Sequence, residues 1–223
     1  SVGDIEGYGV LNDKEKTHIR DQSIQSFKNI YSQAIGMGPV SEYIGKTGMD
    51  ILKGADLLSS VASKYDSSVE YADNSIAKSL RDVARIHLSG LGTRVFYTNH
   101  GGYDNHANEL LTHPGLMTEL AGAISDFMDD LEEHNAAEEV AILVFTEFGR
   151  RMRDNGSGTD HGSGGGAFIV GKNVSGGLYS EYPSLNPIDW EHGEDLKHTI
   201  DFRGVYATML EQWLGIEARP IVK

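Results

Sequence analysis

The chain has 223 residues, with 19 Lys and Arg against 33 Asp and Glu, a formal net charge of −14. That charge repels phosphate backbones and argues against nucleic-acid partners, and no apolar run approaches the roughly 20 residues that cross a bilayer. The absence of Cys removes disulfides, thiolate nucleophiles and every Cys-based zinc site, so any metal would be held by His nitrogen or carboxylate oxygen.

Two unlike parts follow one another. Residues 1–90 read as a helical part packing on a sheet, and residues 91–223 as the α/β part of the same domain, carrying the dense polar motifs. The chain opens at Ser1 with no Met and no signal segment, so a processed or truncated start is expected. Ile19, Ile24, Phe27, Ile30 and Tyr31 recur at helical spacing between Asp13 and Ala34, and Gly36, Gly38 and Pro39 break the run. A second helix is predicted from about Ser41 to Lys64, loosened by Gly45, Gly48 and Gly54. A third, from about Tyr71 to Leu88, places Ile76, Leu80, Val83 and Ala84 on one face. His18 and His87 read as surface or helix-face residues rather than ligands.

From Thr93 to Thr98 the β-branched and aromatic content predicts a strand, closed by the turn cluster Asn99-His-Gly-Gly102. A helix is predicted to start near Pro114, with Leu116, Leu120, Ile124, Phe127 and Leu131 on its apolar face. The continuous apolar run Val140–Phe145 predicts a strand buried on both faces, as in a parallel sheet. Strand, helix and strand over this span read as a βαβ unit. A third strand is predicted at Ala167–Val170, and a last helix from about Phe202 to Leu214, with Val205, Met209, Trp213 and Leu214 inward. Three strands are few for such a sheet, so a further segment or a partner chain is expected to complete it.

Chemistry concentrates where strands are predicted to end, the edge at which open parallel sheets bind ligands. One cluster is His100-Gly-Gly-Tyr-Asp-Asn-His106. A second is Glu147-Phe-Gly-Arg150, followed by Gly158-Thr-Asp-His-Gly162. If the ends share an edge, Asp104, His106, Glu147, Asp160 and His161 converge. Carboxylates with imidazoles suit Zn²⁺ or Mn²⁺, and the imidazoles disfavour Ca²⁺. The neighbouring glycines would let backbone N–H groups approach an anion. Taken singly, each segment could be a solvated turn, and Glu147 could simply pair with Arg150 or Arg151; the weight lies in their combination. Arg150-Arg-Met-Arg153 and Arg203 are the cations expected to hold an anionic substrate. His113 and His134 are expected to face solvent, and His192 and His198 have no identifiable pairing.

The segments Gly101–His106, Thr146–Arg150, Gly158–Gly162, Gly176–Tyr179 and Asp201–Arg203, in this order, resemble a bacterial domain-of-unknown-function family placed in the alkaline phosphatase/sulfatase superfamily. The resemblance implies an α/β fold with an alkaline-phosphatase-like parallel sheet flanked by helices. It also implies two metals beside a nucleophile, and export from the cytoplasm, for instance to the periplasm. Mapped residue by residue, Asp104, His106 and His161 look like one ligand set, and Glu147-Phe148 stands where the superfamily has an Asp-His pair. Phe148 cannot ligate, and the superfamily's N-terminal Asp and nucleophile have no counterpart, so the chain resembles the C-terminal portion of a longer protein or a reduced relative.

The expected function is therefore metal-dependent hydrolysis of a small phosphate or sulfate ester. Asp104, His106 and His161 would be ligands, Glu147 or Asp160 a ligand or a general base, and Arg150 and Arg203 the anion contacts. The alternative is a binding or structural protein on a catalytically degenerate version of the same fold. A nucleotide-binding domain is disfavoured, because no G-x-G-x-x-G or Walker-type loop follows a strand.

Overall fold

A computed structural model describes residues 17–62 and 65–222, with side chains described at 22–54 and 65–222. The predicted helix start at Asp13, the side chain of His18 and the predicted helix end at Lys64 lie outside these residues. The chain divides into two compact units. One takes the chain as far as His100 together with Gly122–His134; the other takes Gly101–Ala121 and Asn135–Lys223.

The first unit is helical. Helix α1 spans Thr17–Ala34 and α2 spans Pro39–Ala62. Gly36 and Gly38, at φ +89° and +107°, make the turn between them in a region that a side chain would strain. The glycines of α2 have a different use from the loosening expected of them. A Cβ on Gly45 would lie 2.7 Å from the Tyr31 carbonyl oxygen, and one on Gly48 would overlap the Tyr31 ring. They admit α1, whose Phe27 and Tyr31 rings stack at 4.2 Å. Helix α3, Ser75–Leu88, is capped by Asn74, whose side chain accepts from the Ala77 amide at 2.9 Å. It buries Ile76, Ala77, Leu80 and Ala84. The second half of α4, which spans Glu109–Glu133, adds Ala123, Phe127 and Leu131 to the buried set.

Helix α4 starts one turn earlier than expected. Pro114 lies inside it, in its second turn, where its missing N–H removes one helical hydrogen bond.

The second unit is mixed and holds its strands in two small antiparallel pairs. Strand β1, Ile142–Val144, pairs with β4, Phe168–Val170, in the register Ile142 to Val170 and Val144 to Phe168. Strands β2, Gly149–Asp154, and β3, Thr159–Gly162, form a hairpin between them. This corrects the parallel βαβ reading. A chain that returns through a hairpin needs no helical crossover, and it arrives antiparallel. Residues 93–98 form no ladder among the described residues, and Val95 and Tyr97 are 69% and 78% exposed. A β-rich composition becomes a strand only where a neighbour takes its N–H and C=O groups.

Gly149 lets the backbones of the hairpin close on one another. A Cβ on Gly149 would sit 2.7 Å from the Gly164 carbonyl oxygen and 2.8 Å from that of Gly162. The last helix, α5, Phe202–Thr208, widens into a π-helical turn at Met209–Trp213. Val205, Met209, Trp213 and Leu214 are half-buried along it. No helix among the described residues is long and apolar enough to cross a membrane.

Candidate metal centre

The centre lies within the second unit and joins two segments. Loop 103–108, leading into α4, carries Asp104 and His106. The β2–β3 hairpin carries Asp160 and His161 on its second strand. A set of hydrogen bonds helps to fix one against the other. Arg150, paired with His161 across the hairpin, is the main brace. Its guanidinium donates to the Thr159 carbonyl at 2.6 Å and to the Tyr103 carbonyl, next to Asp104. Thr159 donates its hydroxyl to Glu109 at 2.8 Å, which ties β3 to the start of α4. At the hairpin tip, Gly158 lies where a Cβ would come within 3.0 Å of the Asn105 carbonyl oxygen.

Asn155 closes that tip. Its side-chain oxygen accepts from the amides of Ser157 and Gly158 at 3.1 and 3.0 Å, an Asx-type turn. Its amide nitrogen donates to the His106 carbonyl at 3.2 Å and to Asp160 Oδ1 at 3.1 Å. The Asn-Gly-Ser-Gly sequence marks this turn, but its hold on residue 106 is visible only in three dimensions.

Asp104, His106 and His161 each offer a ligand atom, and these atoms all lie within 4.8 Å of one another. His161 Nε2 is 2.6 Å from Asp104 Oδ1, and His106 Nε2 is 3.0 Å from the same oxygen. The two imidazoles stack at 4.8 Å, and Phe148 stacks on His161 at 4.0 Å with the planes 9° apart. Arg150 in turn lies 5.1 Å from the Phe148 ring centre. Phe148 therefore holds His161 in place by its ring, a role the sequence did not suggest.

All three candidate ligands are exposed. The hydrogen bond from His161, with the charges of His161, His106 and Arg150, holds the Asp104 carboxyl below its ordinary range. Asp160 is likewise held low, first by Asn155 and then by His106. Its Oδ1 lies 3.2 Å from His106 Nδ1, on the nitrogen that does not face Asp104.

The remaining candidates fare differently. Glu147 is exposed and stands outside the three-residue cluster. Arg150 is committed to two carbonyls and reaches Asp104 only at 3.9 Å, so it braces the loop rather than offering a free fork to an anion. Arg203 is held by Asp201, the N-cap of α5, with Nε at 2.9 and 3.0 Å from its two oxygens. Arg151 pairs with Glu194, and Arg153 lies over the Trp190 ring at 6.0 Å. The basic run thus has its charges individually partnered.

Sequence reasoning missed a second polar cluster, in the first unit. Asp130 of α4 is fully buried, and its Oδ2 accepts from the hydroxyls of Tyr71, at 2.7 Å, and Tyr65. Burial together with Asp130 pushes the Tyr65 phenol up to about 12 and raises that of Tyr71 further. His134, expected in solvent, is only 28% exposed at its side chain. Its ring nitrogens lie 2.8 Å from the Asp130 carbonyl oxygen and 2.9 Å from that of Asp66. The i, i+4 spacing of Asp130 and His134 was the one signal available.

A family model described as Protein of unknown function (DUF1501) matches residues 10–222, and the chain belongs to that family. No curated protein and no solved structure matches it significantly.

Proposed function

We propose that this member of the DUF1501 family is a metal-dependent hydrolase of small phosphate or sulfate esters, of the alkaline phosphatase/sulfatase kind. The observation that carries the reading is the convergence of Asp104, His106 and His161 from segments more than fifty residues apart in the chain. A carboxylate with two imidazoles is a donor set that fits Zn²⁺ or Mn²⁺ with positions left open. These three residues would hold the ion, and a bound divalent cation supplies Lewis acidity toward an ester oxygen. Arg150 braces the loop that carries Asp104. Glu147, exposed before β2 and outside the cluster, would have to approach it to accept a proton. The finer fold of that superfamily, a parallel sheet, would need strands beyond the two antiparallel pairs among the described residues.

A second reading, cation binding without catalysis, draws on particular contacts. Arg150 and Arg203 are both committed to protein oxygens. The hydroxyls of Thr159 and Ser163, on either side of His161, donate to Glu109 and to the Leu196 carbonyl. Neither is poised as a nucleophile.

The experiment is elemental mass spectrometry of the purified chain, followed by turnover of aryl phosphates and aryl sulfates with and without added Zn²⁺ or Mn²⁺. The hydrolase reading expects near-stoichiometric metal and a turnover that His161→Ala removes. Metal without turnover selects the binding reading. A chain that takes up no metal after reconstitution sinks both.

A further inference from the structure

We infer that Asp160 positions His106 for the cation and is not itself one of the cation's ligands; the inference rests on the metal reading above and narrows it. An imidazole ring has two nitrogens on different edges, and here each faces a different carboxylate. Nε2 faces Asp104 at 3.0 Å, on the side where His161 also arrives. Nδ1 faces Asp160 at 3.2 Å. The Asp160 oxygen that meets Nδ1 is the one that Asn155 holds at 3.1 Å, and Asn155 is itself fixed by two backbone amides of the hairpin tip.

Asp160 is therefore anchored from behind and placed on the outer edge of the ring. Its neighbour His161 belongs to the inner set, with Nε2 2.6 Å from Asp104 Oδ1. A carboxylate that grips the far nitrogen of a ligating imidazole fixes which nitrogen is presented and how the ring is turned. The sequence reading placed Asp160 among the residues converging at strand ends, as a ligand or a general base. The geometry gives it an orienting role through His106 instead.

The test is a Zn²⁺ titration of the full chain against a chromophoric chelator, with X-ray absorption on the zinc-loaded protein to count imidazole and oxygen donors. Wild type is expected to bind one equivalent, and Asp104→Ala to lose it. Asp160→Ala is expected to weaken binding about 10- to 100-fold, with the stoichiometry and donor count unchanged. Asp160→Asn keeps an oxygen acceptor for Nδ1 and is expected to recover most of the loss.

Three results overturn the inference while leaving the metal reading standing. Asp160→Ala could lose an oxygen donor along with the metal, which would make Asp160 a ligand. Asp160→Asn could be as damaging as Asp160→Ala, which would make its charge and not its geometry the active property. Affinity could be unchanged in Asp160→Ala, which would leave it no role. Absence of Zn²⁺ binding by wild type overturns both readings and is distinguished by the wild-type titration alone.

Discussion

Among the described residues, a carboxylate–imidazole group stands in each unit, and the two are built in opposite ways. In the first unit Asp130 is fully buried, and its carboxylate takes two tyrosine hydroxyls on one oxygen. His134 hydrogen-bonds to the main-chain carbonyl of the same residue, while its Nδ1 remains 3.2 Å from Asp130 Oδ1. In the second unit Asp104, His106 and His161 lie open to solvent, and two imidazole nitrogens crowd a single carboxylate oxygen. The buried group spends its donors on Asp130 Oδ2 and on main-chain carbonyls, leaving Asp130 Oδ1 without a hydrogen bond. The exposed group directs several ligating atoms at one point. The first arrangement suits a structural tie, because an unpaired buried polar group is costly. The second suits an exchangeable partner, because water can solvate its members when nothing is bound.

The largest expected effect separates the two directly. Asp130→Ala strands two tyrosine hydroxyls in the first unit and should destabilise it by about 3 kcal/mol, read from the urea midpoint at constant m-value. Asp104→Ala removes an exposed side chain and should stay within about 0.5 kcal/mol in the same assay without metal. Equal losses would mean that the exposed cluster is itself a structural tie, and the contrast would fail.

Adding Zn²⁺ should reverse the ranking of the two units. A cation that binds only the folded form at a hundred times its dissociation constant stabilises by about 2.7 kcal/mol. That gain, followed as a rise in the thermal midpoint, should vanish in Asp104→Ala and persist in Tyr71→Phe, whose change lies in the other cluster. A gain that survives Asp104→Ala would place the ion elsewhere.

How much of this was legible beforehand varies with the kind of interaction. Asp104, His106 and His161 were legible as Asp and His clusters at expected strand ends, and the structure brings those three together from a loop and an antiparallel hairpin instead of one parallel edge. The helices were legible from their apolar spacing. Strand direction was not, since a three-residue apolar strand reads the same in parallel and antiparallel pairing. Gly45 and Gly48 looked like helix weakeners because their partner, Tyr31, belongs to a different helix. The Asp130 cluster was hidden for the same reason: its tyrosines lie 59 and 65 residues away. The turn that Asn155 closes, and its grip on the His106 carbonyl, came only with the structure.

The smallest effect is the one that pH should reveal, and its sign differs between the clusters. Both ring nitrogens of His134 face carbonyl oxygens, which only accept, so the clamp requires both nitrogens protonated. The hydrogen bond to the Asp130 carbonyl is the main cause that raises its pKa above 6.5, with burial opposing and the Asp66 carbonyl, Asp130 and Glu133 assisting. A raised pKa gives a contribution that is complete below about 6.5 and is lost as pH climbs through the folded value. The carboxyls of Asp104 and Asp160 are held below 3.8, so their contribution is present above that value and is lost as pH falls through the folded ones. Urea midpoints between pH 6 and 9 should therefore drift downward in wild type and flatten in His134→Gln. His161→Ala should leave that alkaline drift intact and blunt the loss at acid pH instead. If His134→Gln keeps the wild-type slope, the buried cluster is held by its tyrosines alone, and its imidazole is as replaceable as those of the exposed one.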